Sequence, residues 1–158
     1  MVQDTPVTRR LSELGIEHTL HIHDKPLRSL EQAAAERGLQ NEQIVRSLLF
    51  RLADHTYILV LVAGPGKVTW SNLRKAVGVR RLTTADNDEV LKITGYPPGA
   101  VSPIGLKQPL RILADRGLAD QEIISIGAGI KNAGVILRMD DLLSAIEIEL
   151  VDVMEGRE

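Results

Sequence analysis

Residues 95–105, Gly95-Tyr96-Pro97-Pro98-Gly99-Ala100-Val101-Ser102-Pro103-Ile104-Gly105, hold three glycines and three prolines. Proline fixes φ and has no backbone N–H to donate, while glycine enters the positive-φ region and lets another molecule approach closely. No helix or paired strand runs through such a stretch. It reads as a rigid irregular loop with exposed backbone, suited to recognising a small polar group through main-chain N–H and C=O. A structural turn is the plainer alternative, and the better one for a lone Pro-Gly cluster. The length of this cluster and its flanks favour function.

The flanks are regular elements with readable punctuation. Thr5 caps a first helix with Pro6 in its first turn, Val7, Leu11 and Leu14 on one face, and Gly15 as its stop. The alternation that follows puts Ile16, His18, Leu20 and Ile22 on one side of a strand and Glu17, Thr19, His21 and His23 on the other. Two histidines are too few for a metal centre, and no third ligand is evident. Ser29 begins a second helix, with Gln32 at capping-box spacing and Gly38 as its stop.

Residues 44–51 read as a strand in which Ile44, Arg46, Leu48 and Phe50 share one face and Val45, Ser47, Leu49 and Arg51 the other. Arg46 interrupts an apolar row, so its charge needs either a carboxylate of the fold or a ligand. Tyr57 to Val62 is continuously apolar, as in a strand buried on both faces, and Asp54-His55 makes the hairpin connection. A short helix over 71–77 ends at Gly78. Arg74, Lys75, Arg80 and Arg81 crowd there. They are either a solvated helix face or a phosphate-contacting patch. Asp86 and Glu89 have capping-box spacing for a helix through Ile93 that Gly95 ends, so the Gly/Pro loop leaves directly from a helix C-terminus. Strands are expected over 110–114, 122–126 and 135–137, a short helix over 140–144 and a last apolar segment over 146–151. Gly127-Ala128-Gly129 lacks the spacing of a dinucleotide fingerprint. The charged tail after Met154 is expected to fray.

The chain has 158 residues and fits one domain, residues 1–158. Its four aromatic residues make the core aliphatic and argue against a base-stacking platform. The net charge of −2 provides no general field for nucleic acid, so any RNA contact is local. The absence of cysteine excludes disulfides, zinc-thiolate sites and cysteine nucleophiles. With no signal peptide and no long apolar span, the cytoplasm is the expected compartment. Strands and helices mix without strict βαβ alternation, so the fold class is α+β.

Thr94-Gly95-Tyr96-Pro97-Pro98-Gly99-Ala100-Val101-Ser102-Pro103-Ile104-Gly105 resembles the signature loop of the YbaK/ProX family of aminoacyl-tRNA deacylases, which are similar to the editing domain inserted in bacterial prolyl-tRNA synthetases. Gly99 to Pro103 fits the family's Gly-x-x-x-Pro element, and the similarity runs from about Ile16 to about Leu150. The resemblance implies a mixed, strongly curved, partly barrel-like sheet flanked by helices. It implies trans-editing: hydrolysis of the ester joining a wrong, small amino acid to a tRNA 3′ end, with tRNA-Pro the expected carrier. Aminoacyl-tRNA is then the partner, with a synthetase as a further one. No cofactor, metal, membrane or DNA is expected. The other reading is a non-catalytic module that binds aminoacyl-tRNA or a synthetase.

The same resemblance places catalysis at Arg46, Gly99 and Ala100, through charge and backbone polarisation. It places substrate contacts at His21, His23, Ser47, Ser102, Pro103, Asp115, Gly127, Gly129 and Lys131. Arg46-Ser47 stands where the family usually has Lys-Thr or Lys-Ser, and an arginine there cannot serve as a general base. His23-Asp24 matches a His-Asp pair, His21 stands where a tyrosine is frequent, and the second glycine loop ends in Lys131-Asn132 instead of a basic-Gly pair.

Overall fold

The computed structural model describes residues 4–155; the end of the charged tail, residues 156–158, lies outside the described residues. Six α-helices and eight strands follow one another as α1 (Pro6–Glu13), β1 (Thr19–Ile22), α2 (Leu30–Arg37), β2 (Val45–Leu52), β3 (Tyr57–Ala63), α3 (Trp70–Val77), β4 (Leu82–Thr84), α4 (Asn87–Thr94), β5 (Arg111–Asp115), α5 (Arg116–Ala119), β6 (Ile123–Gly127), β7 (Ala133–Arg138), α6 (Met139–Ala145) and β8 (Glu149–Val151). The mixed α+β class stands. Among the described residues the strands pair into two sheets, of order β1-β7-β6 and β4-β2-β3-β5-β8, where one curved, partly barrel-like sheet was expected, and no closed barrel is found. One bridge, Ile44 to Ser125, joins them.

The capping signals set the helices. Thr5 and Thr8 form a reciprocal capping box on α1, Ser29 Oγ accepts from Gln32 N on α2, and Asp86 and Glu89 close a full box on α4. Gly38, Gly78 and Gly95 stop α2, α3 and α4 in the left-handed conformation. Leu14 departs from expectation. It is the residue after α1 and stays 39% exposed, while Val7 and Leu11 are fully buried.

β3 is buried from Ile58 to Val62 because both faces of the larger sheet are covered. On one face Val45, Leu49, Leu59 and Leu61 meet Ile124, Ile126, Val135 and Leu137 of the smaller sheet, together with α1 and the Gly/Pro loop. On the other, Phe50, Ile58, Val60 and Val62 pack under Leu73 and Val77 of α3. β3 and β5 are parallel whereas β2 and β3 are antiparallel, so the larger sheet is mixed.

Candidate active site

A cavity of about 560 Å³ opens where the two sheets part, a size typical of small-ligand sites. One wall is β2 from Val45 to Leu48. β4 pairs with β2 only over Phe50–Leu52, with Leu49 O accepting from Ala85 N just before. Main-chain direction alternates along a strand, so Ser47, two residues before Leu49, turns its N–H and C=O to this open edge. The opposite wall is Pro98, Gly99 and Val101 of the loop, beside Ile126 and Gly127 at the end of β6. The start of α2 with the segment before it, and residues 131–133, complete the lining.

The loop is held by its own groups. Tyr96 is buried beneath it and its hydroxyl donates to Ile104 O at 2.6 Å, with Gly105 O at 3.0 Å. Burial pushes that phenol up to about 12. Ser102 Oγ accepts from Ile104 N, and Ala100 N donates to Pro97 O while Ala100 O accepts from Gly129 N. Gly127, the last residue of β6, and Gly129 just beyond it make the docking possible. A β-carbon on Gly127 would collide with the Val101 carbonyl, and one on Gly129 would press on the Tyr96 ring.

The expected site residues therefore divide. Arg46, Ser47, Gly99, Gly127 and Lys131 line the cavity. Ala100, Ser102 and Pro103 are buried in the loop and do not; the polar groups of Ala100 and the Ser102 hydroxyl are engaged in the loop's own hydrogen bonds. Gly129 packs against Tyr96 instead of facing the cavity. Asp115 is away from the lining: its carboxylate accepts from Gly117 N, Val153 N and Met154 N, capping α5 and pinning the C-terminal segment. Of the basic cluster, none of Arg74, Lys75, Arg80 and Arg81 lines this cavity.

Arg46 finds no carboxylate among the described residues. Its guanidinium donates to the carbonyls of Gly64, at 2.7 Å, and Gly66, in the turn after β3. Two of its hydrogen bonds are thus satisfied while its charge is not neutralised. Burial holds its pKa below the ordinary arginine value, yet an arginine remains charged. Beside it, the Ser47 hydroxyl is buried with no hydrogen-bond partner, which is costly unless a ligand supplies one.

His21 and His23 do not line the cavity. Their rings lie 4.6 Å apart. His23 is fully buried, receives a hydrogen bond from Arg37 Nε at 3.0 Å on Nε2, and has Nδ1 at 2.8 Å from Glu36 Oε1. Arginine can only donate, so Nε2 is the acceptor and the proton sits on Nδ1, donating to Glu36. That bond, with one from Gln32, holds the Glu36 carboxyl below its ordinary range. Burial, followed by the neighbouring His23 and Arg37, lowers His21.

Sequence reading missed Arg37 and Asn132. Arg37 lines the cavity and donates through Nη1 to Ser125 Oγ at 2.9 Å. Its signal was present: Ala33 and Ala34 are the buried face of α2, and position 37 falls on that face at helical spacing. Asn132, at φ 57, takes Leu27 N on its side-chain oxygen and His23 N on its carbonyl. It ties the cavity floor to the segment before α2. Among the described residues no cluster of His, Cys, Asp or Glu could hold a metal, and no helix is long and apolar enough to cross a membrane.

A mixed α+β domain with a backbone-walled cleft between two sheets is the class this geometry defines. The aminoacyl-tRNA editing domain family matches residues 24–145, and the chain belongs to it. It is 32% identical over 119 residues to a proline–tRNA ligase of Geobacter sp. (strain M21), covering 72% of this chain and 21% of the ligase. A proline–tRNA ligase of Streptococcus equi subsp. zooepidemicus (strain H70) is 26% identical over 144 residues, covering 91% of this chain and 23% of the ligase. The chain thus spans about a fifth of the length of these relatives. Among solved structures, a candidate trans-editing enzyme for prolyl tRNA synthetase superposes with a TM-score of 0.85 at 26% identity, covering 96% of both chains. A hypothetical protein superposes at 0.86 with 27% identity, covering 95% of this chain and 99% of the other.

Proposed function

We propose that the chain is a trans-editing hydrolase that removes a small wrong amino acid from tRNA, with tRNA-Pro as the carrier. The observation that supports this most is the cavity itself. It sets the open backbone of Gly99 and Val101 opposite the Ser47 edge of β2, in a family that edits aminoacyl-tRNA. The N–H groups of Gly99 and Val101 have no hydrogen-bond partner among the described residues. In this reading they receive the ester carbonyl oxygen as charge develops on it, the role of an oxyanion hole. The Ser47 hydroxyl, unpartnered and buried, holds a polar group of the substrate.

In hydrolysis the water oxygen bonds to the acyl carbon, the bond to the ribose oxygen breaks, and a proton ends on that oxygen. No His, Asp or Glu lines the cavity, so no carboxylate or imidazole is at hand to take the water's proton. Substrate hydroxyls are the proton carriers this site leaves. The protein's share is positioning and electrostatic stabilisation, with Arg46 supplying positive charge near the ester. The body of the tRNA meets Arg74, Lys75, Arg80 and Arg81.

The deciding experiment is a deacylation assay over a panel of mischarged tRNAs. Turnover on tRNA carrying a small wrong amino acid supports the hydrolase. Stoichiometric binding without turnover supports the second reading, a binding module, which the attachment of the Arg46 fork to two turn carbonyls favours.

A further inference from the structure

The cavity lining brings together Arg28, Arg37, Arg46 and Lys131 and contains no Asp or Glu, in a chain whose net charge is −2. Among these, Arg37 is the one set in a built slot. β7 passes under it at Gly134, where a β-carbon would overlap the guanidinium and come within 2.8 Å of Ser125 Oγ. Two acceptors fix the plane of the fork: His23 Nε2 takes Nε–H at 3.0 Å, and Ser125 Oγ takes one Nη1–H at 2.9 Å. Both partners are neutral groups, since the His23 proton is committed to Glu36. Nη2 has no partner among the described residues, and no carboxylate pairs with Arg37. A guanidinium fixed by neutral groups, desolvated and left with free donors at a cavity is arranged for an anion.

We infer that Arg37 forms the phosphate subsite of the cleft, binding the phosphodiester on the 5′ side of the RNA's terminal nucleoside. This rests on the deacylase reading above, and the chemistry of that substrate selects the anion. The amino acid's carboxyl is tied up in the ester, and its amino group is cationic. The phosphodiester is the one anionic group an aminoacylated RNA end can bring into so positive a cleft. His23 and Ser125 are positioning residues: they do not touch the phosphate but orient the fork that does.

The test uses a non-hydrolysable probe, adenosine carrying alanine through a 3′-amide, made with and without a 5′-phosphate. The wild-type protein should bind the phosphorylated probe about tenfold more tightly or better, as expected for one charge-assisted hydrogen bond. Arg37→Gln should bring the two probes within about twofold of each other, and Arg37→Lys should keep part of the preference. Gly134→Ala should also reduce the preference, because it displaces the fork without changing any charge. It covers the case in which Arg37→Gln does not fold. Thermal melting of each variant separates this from a packing role, which would lower stability and leave the preference intact. Equal binding of the two probes by the wild type, or a preference that survives both Arg37→Gln and Gly134→Ala, overturns the subsite while probe binding still supports the deacylase reading. Failure of the wild type to bind either probe removes both.

Discussion

The backbone of Val101 lies directly on Gly127: its carbonyl oxygen occupies the space where any other residue at 127 would place a β-carbon. The contact fixes the Gly/Pro loop against the end of β6 and so sets the width of the cavity. Gly127→Ala should push the loop outward. Overpacking of this kind costs about 1–3 kcal/mol. Deacylation should fall by more than the stability loss explains, since the oxyanion donors move with the loop. Melting curves and turnover measured on the same preparation check this, and unchanged turnover would remove the loop's position from the mechanism.

Tyr96 supports the same loop from beneath. Tyr96→Phe keeps the ring under Gly129 but removes the hydroxyl that donates to Ile104 O. A buried carbonyl left without its donor costs about 1–3 kcal/mol. Denaturant melts should show that loss, with turnover reduced only as far as the loop loosens.

Arg46→Ala tests whether the arginine works on substrate or on the fold. It removes the donors to Gly64 and Gly66 and the charge at the cavity together. If the charge acts on the substrate, binding and rate should fall together, by about 1.5–3 kcal/mol for one charge-assisted bond. Arg46→Lys should recover part of both. The rate should show no titration traceable to this residue. Full turnover with a lower melting temperature would make Arg46 a clamp on the turn after β3 and leave the chemistry to the loop.

Glu89 gives stability a pH dependence away from the site. Tyr57 donates to it at 2.6 Å, Arg51 bonds both carboxylate oxygens at 2.9 Å, and it caps Asp86 N. The hydrogen bond from Tyr57, the cap and Arg51 pull its carboxyl from an ordinary 4.5 down to about 2. A depressed carboxyl stabilises the fold above its unfolded value, and the contribution disappears as the folded group is protonated. The contribution of Glu89 should therefore be complete above about pH 4.5 and lost on acidification towards pH 2. Melting temperatures of wild type and Glu89→Gln should differ at neutral pH and converge at the acid end.

Local signals carried through to the structure where one residue and its near neighbours settle the matter. Thr5, Ser29 and Asp86 cap their helices because the donors they satisfy lie three residues on. Periodicity names a face but not what covers it. Hence helical spacing could put Arg37 on the buried face of α2 but not in a site: its slot depends on Gly134 in β7, which no local pattern brings beside it. The division into two sheets rests on equally distant pairings. β4, only three residues long, is too short for a pattern. Ala100 was expected in catalysis and Ser102 in substrate contact, on a Gly/Pro loop read as having an open backbone. Its openness ends where its own turns use the polar groups, and only the stretch around Gly99 remains free.

The cluster of half-buried Arg74 and exposed Lys75, Arg80 and Arg81 lies on and after α3, the helix that covers the far face of the larger sheet. Arg74 and Lys75 fall in its last turn, where cations also complement the helix dipole, so a purely structural account is available for two of the four. A phosphate-contacting patch differs from it in salt dependence. Each phosphate neutralised releases counterions, and affinity then falls steeply with salt. Neutralising all four should weaken tRNA binding and flatten its dependence on salt, with hydrolysis of a small aminoacyl ester unchanged because that ester has no RNA body to grip. The Arg37 subsite acts at the reacting end and predicts the opposite split, in which the terminal phosphate matters even for a single nucleotide. Full tRNA affinity in the neutralised protein would leave the cluster a solvated helix face and place the RNA contacts at the cleft.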